Sequence, residues 1–157
     1  MTIINFSVVI NQHLHNHNVD GFNSSDEPTV SGIYVDKSGS LESAAGLSNA
    51  DSDTNIYIYF SEAMDNTSIT AITSGSTCSG TVQVSSDSSL PFSNCIPMSS
   101  SPAVPNNTNK IFTFETSNFS SGTVYRIVVT TGVKDGSGNS MEDNNTTVFS
   151  NGFTVSK

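Results

Sequence analysis

Ile56-Tyr57-Ile58-Tyr59-Phe60 alternates large apolar side chains with tyrosine, and Ser61-Glu62-Ala63-Met64-Asp65 follows it directly. A period of two sends successive side chains to opposite faces of an extended chain, so Ile56, Ile58 and Phe60 share one face and Tyr57 and Tyr59 the other. Helical spacing does not fit. Working outward, the same reading applies to Thr29 to Val35, Thr81 to Ser85, Lys110 to Thr116, Thr123 to Thr130 and Val148 to Val155. Each run is rich in Val, Ile, Thr, Phe or Tyr and bounded by Gly, Asn, Asp, Ser or Pro. A short run from Cys95 to Met98 makes a seventh strand, and no window offers a convincing amphipathic helix. About seven short strands separated by turn residues predict an all-β fold, a two-sheet antiparallel sandwich in which each sheet covers the inward face of the other.

Three phrases occur in order: Tyr59-Phe60-Ser61-Glu62-Ala63-Met64-Asp65, Gly122-Thr123-Val124-Tyr125, and Asp135-Gly136-Ser137-Gly138-Asn139-Ser140-Met141. In them the chain resembles a bacterial Ig-like module of the SbsA-like type, over roughly Pro28 to Val155. In that family a strand ends in Phe-Ser-(Glu/Lys)-x-Met-Asp, a later strand opens with Gly-Thr-x-Tyr, and the next turn reads Asp-x-x-Gly-Asn-x-Met. The resemblance implies an Ig-like sandwich that serves as spacer, stalk or binding unit of a secreted or surface-anchored bacterial protein. Its contacts, to a host matrix protein, a glycan or neighbouring Ig-like modules, would come from loops. The segment between Cys78 and Cys95 resembles versions in spirochaete surface proteins, which implies an adhesin. The competing reading is an accessory module of a secreted hydrolase that binds polysaccharide or positions a catalytic domain. Antibody-type domains place a Trp against their disulfide, and this chain has no Trp. The two cysteines are therefore expected to staple a local excursion rather than to bridge the sheets.

At 157 residues, one domain with a real core is expected from 26 to 157, preceded by a disordered or tag-like extension over 1–25. Acidic residues outnumber basic ones 14 to 5, and only 12% of residues are charged, so Ser, Thr, Asn and Gly carry the polarity. That balance argues against nucleic acid and anionic membranes, which need clustered positive charge. No apolar stretch approaches the roughly 20 residues of a membrane span. The first ten residues lack a basic region and a small-residue cleavage site, so a secretion signal or anchor would lie outside these 157 residues. Cys78 and Cys95 fit no CxxC motif, whereas an even count in an acidic, Ser/Thr-rich chain fits one structural disulfide. Two buried, inert thiols are the other reading. With few lysines, the sheet edges are expected to be covered by loops or neighbouring modules.

His13, His15 and His17 alternate in the amino-terminal extension, as in a purification tag or an adventitious site for zinc, nickel or copper. All three lie far from any serine or cysteine of the predicted sandwich, so nucleophilic catalysis has no base. Glu62, Asp65, Glu115, Asp135, Glu142 and Asp143 supply carboxylates, but no complete acid, base or nucleophile set can be assembled, and no enzyme activity is expected. Asp51, Asp53, Asp135, Asn139, Glu142 and Asp143 are hard oxygen ligands on probable loops, with Asp135, Asn139 and Asp143 the candidates for calcium. The EF-hand pattern fails at Ser140 and Thr146. The alternative is that Asp135 and Asn139 shape the turn while Gly136 and Gly138 take positive φ. Met64 and Met141 read as core fillers. Tyr125 sits like the tyrosine whose hydroxyl ties down a sandwich corner. Tyr57 and Tyr59, if outward, would stack on a sugar or anchor a protein contact; otherwise they are ordinary rim tyrosines.

Overall fold

A computed structural model describes residues 27–116 and 119–156. The extension, with His13, His15 and His17, lies outside the described residues. Eight strands run in chain order: β1 Val30–Lys37, β2 Ser40–Ser43, β3 Ile56–Phe60, β4 Val82–Ser85, β5 Val104–Pro105, β6 Ile111–Phe114, β7 Val124–Val129 and β8 Phe153–Thr154. They form a five-stranded sheet in the order β2-β1-β3-β6-β5 and a three-stranded sheet in the order β4-β7-β8, with every ladder antiparallel.

The alternation at 56–60 is obeyed to the residue. Ile56, Ile58 and Phe60 are buried, with Ile33 and Val35 of β1 and Phe112 and Phe114 of β6 beside them. Val82, Val84, Ile127, Val129 and Phe153 face them from the smaller sheet, in one continuous core. Each such side chain taken fully out of water contributes about 1.5–3 kcal/mol, which makes this layer the main favourable term of the fold. Met64 and Met141 are buried in the same cluster, as their places in the recurring phrases predict.

Four expected elements differ, each for an identifiable reason. Ser38 and Gly39, with φ of 53° and 80°, make a two-residue hairpin turn, so the predicted long connection over 38–55 begins with β2. All four β2 side chains are exposed, so the strand carries no hydrophobic period. Val104 and Pro105 pair with Thr113 and Phe112 where an irregular link was expected; at a sheet edge the missing N–H of Pro105 costs nothing. Cys95 to Met98 forms no strand. The N–H groups of Cys95, Ile96 and Met98 donate to Ser76, Val84 and Ile72 in turn, and Pro97 has none to give. Val148 to Val155 divides into a helical turn, α1 Thr147–Ser150, and the short β8. Between them Gly152 passes against the Tyr125 carbonyl, where a Cβ has no room.

Cys78 and Cys95 are bonded, with an S–S distance of 2.00 Å. Their excursion packs over the outer face of the smaller sheet, where Ile72, Phe92, Cys95 and Val128 form a second apolar cluster with Phe149 against it. The staple is local, as the absence of Trp implied. Loops also cover both edges of that sheet: Ile96 donates to Val84 of β4, and the Thr154 N–H of β8 donates to Leu47.

Replacing both cysteines by serine frees a 17-residue separation in the unfolded chain and is expected to cost about 3 kcal/mol, or roughly 10 °C in Tm. Thermal unfolding of C78S/C95S beside the oxidised wild type checks this. Amide exchange should rise first around Phe92 and the outer apolar cluster.

Candidate functional site

Two kinds of polar cluster and one aromatic face hold the candidate residues. At one end of the sandwich, the first and third recurring phrases are hydrogen-bonded partners. Asp65 N–H donates to the Lys134 carbonyl at 2.8 Å, Gly136 N–H to the Ala63 carbonyl at 3.1 Å, and Met64 pairs with Asp135 as an antiparallel bridge. The end of β3 and the exit of β7 are thereby tied across the two sheets.

Asp135 is 1% exposed. Its Oδ1 accepts the N–H groups of Ser137 and Asn139, each at 2.8 Å, and its Oδ2 accepts the Asn139 side-chain amide at 2.8 Å. Gly138, at φ 92°, closes the turn; of the two glycines expected at positive φ, Gly136 is not in that region. Asp65 caps the short 3-10 turn Asn66–Ser68, its Oδ1 accepting the Thr67 N–H at 2.9 Å and the Thr67 hydroxyl at 2.7 Å. The Ser68 hydroxyl accepts the Lys134 N–H and donates to the Asp65 carbonyl.

The remaining calcium candidates are scattered. Asp135 and Asn139 are brought together, but donors face both carboxylate oxygens, and a cation there would have to displace them. Asp143 is exposed and lines a different cleft of about 360 Å³ with Glu27 and Glu142. Asp51 accepts the Ser38 N–H and so holds the β1–β2 hairpin, while Asp53 is exposed. Among the described residues, no group of three or more His, Cys, Asp or Glu is arranged to hold a metal ion. Glu115 and Glu142 are exposed and Glu62 half-buried.

At the opposite end the second phrase begins β7. Gly122, at φ 72°, donates its N–H to Val155, and the Tyr125 hydroxyl accepts the Ser120 N–H at 2.7 Å. The corner tyrosine is thus in place, packed between Phe119 and Phe153. A family model described as bacterial Ig-like domain matches residues 28–151. The chain belongs to that family. No curated protein and no solved structure matches the chain. Bacterial Ig-like domains are typical of bacterial surface proteins and generally non-catalytic. In this bacterial Ig-like domain the recurring phrases are a clamp at one end and a corner at the other. No helix among the described residues is long and apolar enough to cross a membrane.

The aromatic face lies on the outside of the five-stranded sheet. Tyr57 and Tyr59 are half-buried and alternate with the core residues of β3. The register sets Tyr34 of β1 opposite Tyr57, and the rings of Tyr34 and Tyr59 meet edge-on at 4.9 Å. Sequence reasoning missed Tyr34. The signal was Gly32, two positions earlier on the same face: a Cβ there would stand 2.6 Å from the Tyr34 ring, so the glycine makes room for that ring to lie on the sheet. The Tyr57 hydroxyl is 3.4 Å from both the Asp36 carboxylate and the Asn55 amide.

A further missed residue is Asp87, inside a serine run that reads as a plain exposed turn. Its Oδ2 accepts the N–H groups of Ser93 and Asn94 at 2.6 and 3.0 Å, folding the excursion back towards β4. Asp87 is held below its ordinary pKa by the Asn94 and Ser93 amides and the Ser85 hydroxyl, and Asp65 by the Thr67 hydroxyl and amide with Lys134 adding to them. Because both folded values lie below the unfolded value of 3.8, the stabilisation is present above that pH and is lost as pH falls through the folded values. The urea midpoint should therefore drop as pH falls below 3.8, and D65N/D87N should show a shallower drop over the same range. Equal slopes would separate these carboxylates from acid sensitivity.

Proposed function

We propose that this bacterial Ig-like domain is a non-catalytic module of a secreted or surface-anchored protein, acting as a load-bearing spacer that also presents a binding face. The observation that carries the reading is where the chain enters and leaves the sandwich. Thr29 accepts from the Ser61 N–H beside the clamp, so β1 starts at the clamped end. After β8, Val155 bridges Ala50 and accepts from Gly122, at the corner end. Tension applied to the two ends runs along the strands rather than peeling them from one edge. Asp65, Asp135 and Asn139 of the recurring phrases support the same reading, since their side chains are engaged in closing turns. The tyrosine face lends support to a second reading, an accessory module that holds polysaccharide for a secreted hydrolase. Both readings use one binding surface and differ in the load on the fold.

Tandem copies pulled through their ends should unfold in discrete steps, one per module. Reducing the disulfide should lengthen each step by roughly 60 Å, the reach of the 17-residue separation it locks. Smooth extension without a discrete step would remove the spacer reading.

A further inference from the structure

The two sheets treat their outer faces differently. The outer face of the smaller sheet is roofed by the disulfide excursion and Phe149. On the larger sheet, among the described residues, Tyr34, Tyr57 and Tyr59 stay half-exposed, and Leu41 and Val104 at its two edge strands are 44% and 52% exposed. Tyr34 touches Tyr59 and is paired with Tyr57, so the three rings adjoin on one half-exposed face.

We propose that this face binds a neutral glycan chain, with Tyr34, Tyr57 and Tyr59 as the stacking platform. The proposal rests on the binding half of the reading above and names its ligand class. Four features select that ligand. The rings are set in advance: Tyr34 lies over Gly32, Tyr59 is braced by Tyr34, and Tyr57 is tied at its hydroxyl to Asp36 and Asn55. A pyranose presents a flat C–H face that matches the negative face of an aromatic ring, and stiff rings lose little entropy on binding. A groove of about 180 Å³ continues the platform beside Tyr34, with Ser43, Asn145 and Thr147 among its lining. The Ser43 hydroxyl, with the bonding capacity left on the mutually bonded Asn145 amide and Thr147 hydroxyl, supplies the donors and acceptors that sugar hydroxyls require.

Charge narrows the class further. The paired rows across this face, Ser43-Tyr34-Tyr57-Thr113-Val104, Gly32-Tyr59-Ile111 and Leu41-Asp36, hold one carboxylate and no Lys or Arg. The chain as a whole carries a net charge of −9. Anionic polysaccharides are therefore repelled, and a neutral chain is not. A protein partner fits less well, because protein hot spots centre on an anchor side chain in a fully desolvated pocket, whereas these tyrosines lie half-exposed on a sheet face.

The test is affinity electrophoresis of the oxidised chain in gels holding a soluble neutral β-glucan, a mannan or a galactan, with alginate as the anionic control. At least one neutral polysaccharide should retard the wild type and alginate should not. Tyr34→Ala and Tyr59→Ala should each weaken retardation about tenfold. The double variant Y34F/Y59F, which keeps the rings and the Tyr57 hydroxyl tie, should stay within about twofold, since it removes only hydroxyl contacts. Circular dichroism of each variant guards against unfolding, and G32A provides a second route, displacing the Tyr34 ring without removing it. Absence of retardation by all three neutral polysaccharides would overturn the proposal. So would retention of full affinity by folded Tyr→Ala variants, or retardation by alginate alone. Binding to an immobilised matrix protein that these variants abolish, with no polysaccharide binding, would reassign the face to a protein. A module that ignores every polysaccharide yet unfolds in discrete steps under force would lose the glycan and keep the spacer.

Discussion

Two hydrogen bonds between the exit of β3 and the exit of β7 set the register of the two sheets at one end of this sandwich. Asp65 N–H to Lys134 and Gly136 N–H to Ala63 join strands that belong to different sheets, and the Met64–Asp135 bridge sits between them. Sheets packed face to face are held mainly by apolar burial, which is strong but non-directional. Directional bonds at one end fix how the sheets slide and rotate relative to each other. The Asp135 turn exists to present those bonds. Its carboxylate, nearly free of solvent, organises Ser137 and Asn139 so that the chain reverses just beyond the clamp. Met64 and Met141, flanking the same turn region, fill the core beneath it.

With one end clamped and the other closed by Tyr125, the outer surfaces are free to diverge. The smaller sheet turns its outer face into a second small core under the disulfide excursion, and its edges are taken up by loops. Among the described residues, the larger sheet leaves the tyrosines of its outer face half-exposed. Its rings are oriented by their neighbours, with Gly32 giving Tyr34 its place and Asp36 holding the Tyr57 hydroxyl. Rigidity at the core thus supplies a preorganised surface at no further cost in ordering.

What could be read from the chain alone follows from which residues report on their surroundings. β3 was legible to the residue because its two faces meet different media. β2 was not, since all four of its side chains meet water and only Ser38-Gly39 marks its turn. β8 was overdrawn because Val148 and Phe153 are both buried although a helical turn and Gly152 lie between them. The disulfide followed from an even cysteine count in an acidic, Ser/Thr-rich chain. The aromatic face was half visible: Tyr57 and Tyr59 share a strand, but Tyr34 joins them only through the β1–β3 register, which is a long-range property. Asp87 escaped notice because its role depends on Ser93 and Asn94 returning to meet it.

Native-state hydrogen exchange at the clamp tests this account most directly. If the Asp135 turn is structural, the amides of Asp65, Gly136, Ser137 and Asn139 should exchange only through global unfolding, with the same free energy as the central amides of β3 and β7. Exchange of these amides by local opening, at rates typical of exposed loops, would contradict it. The turn would then be a mobile loop with its carboxylate at liberty, and the sandwich would hold its register by packing and by the bonds of Leu47 and Ala50 to the β8 segment.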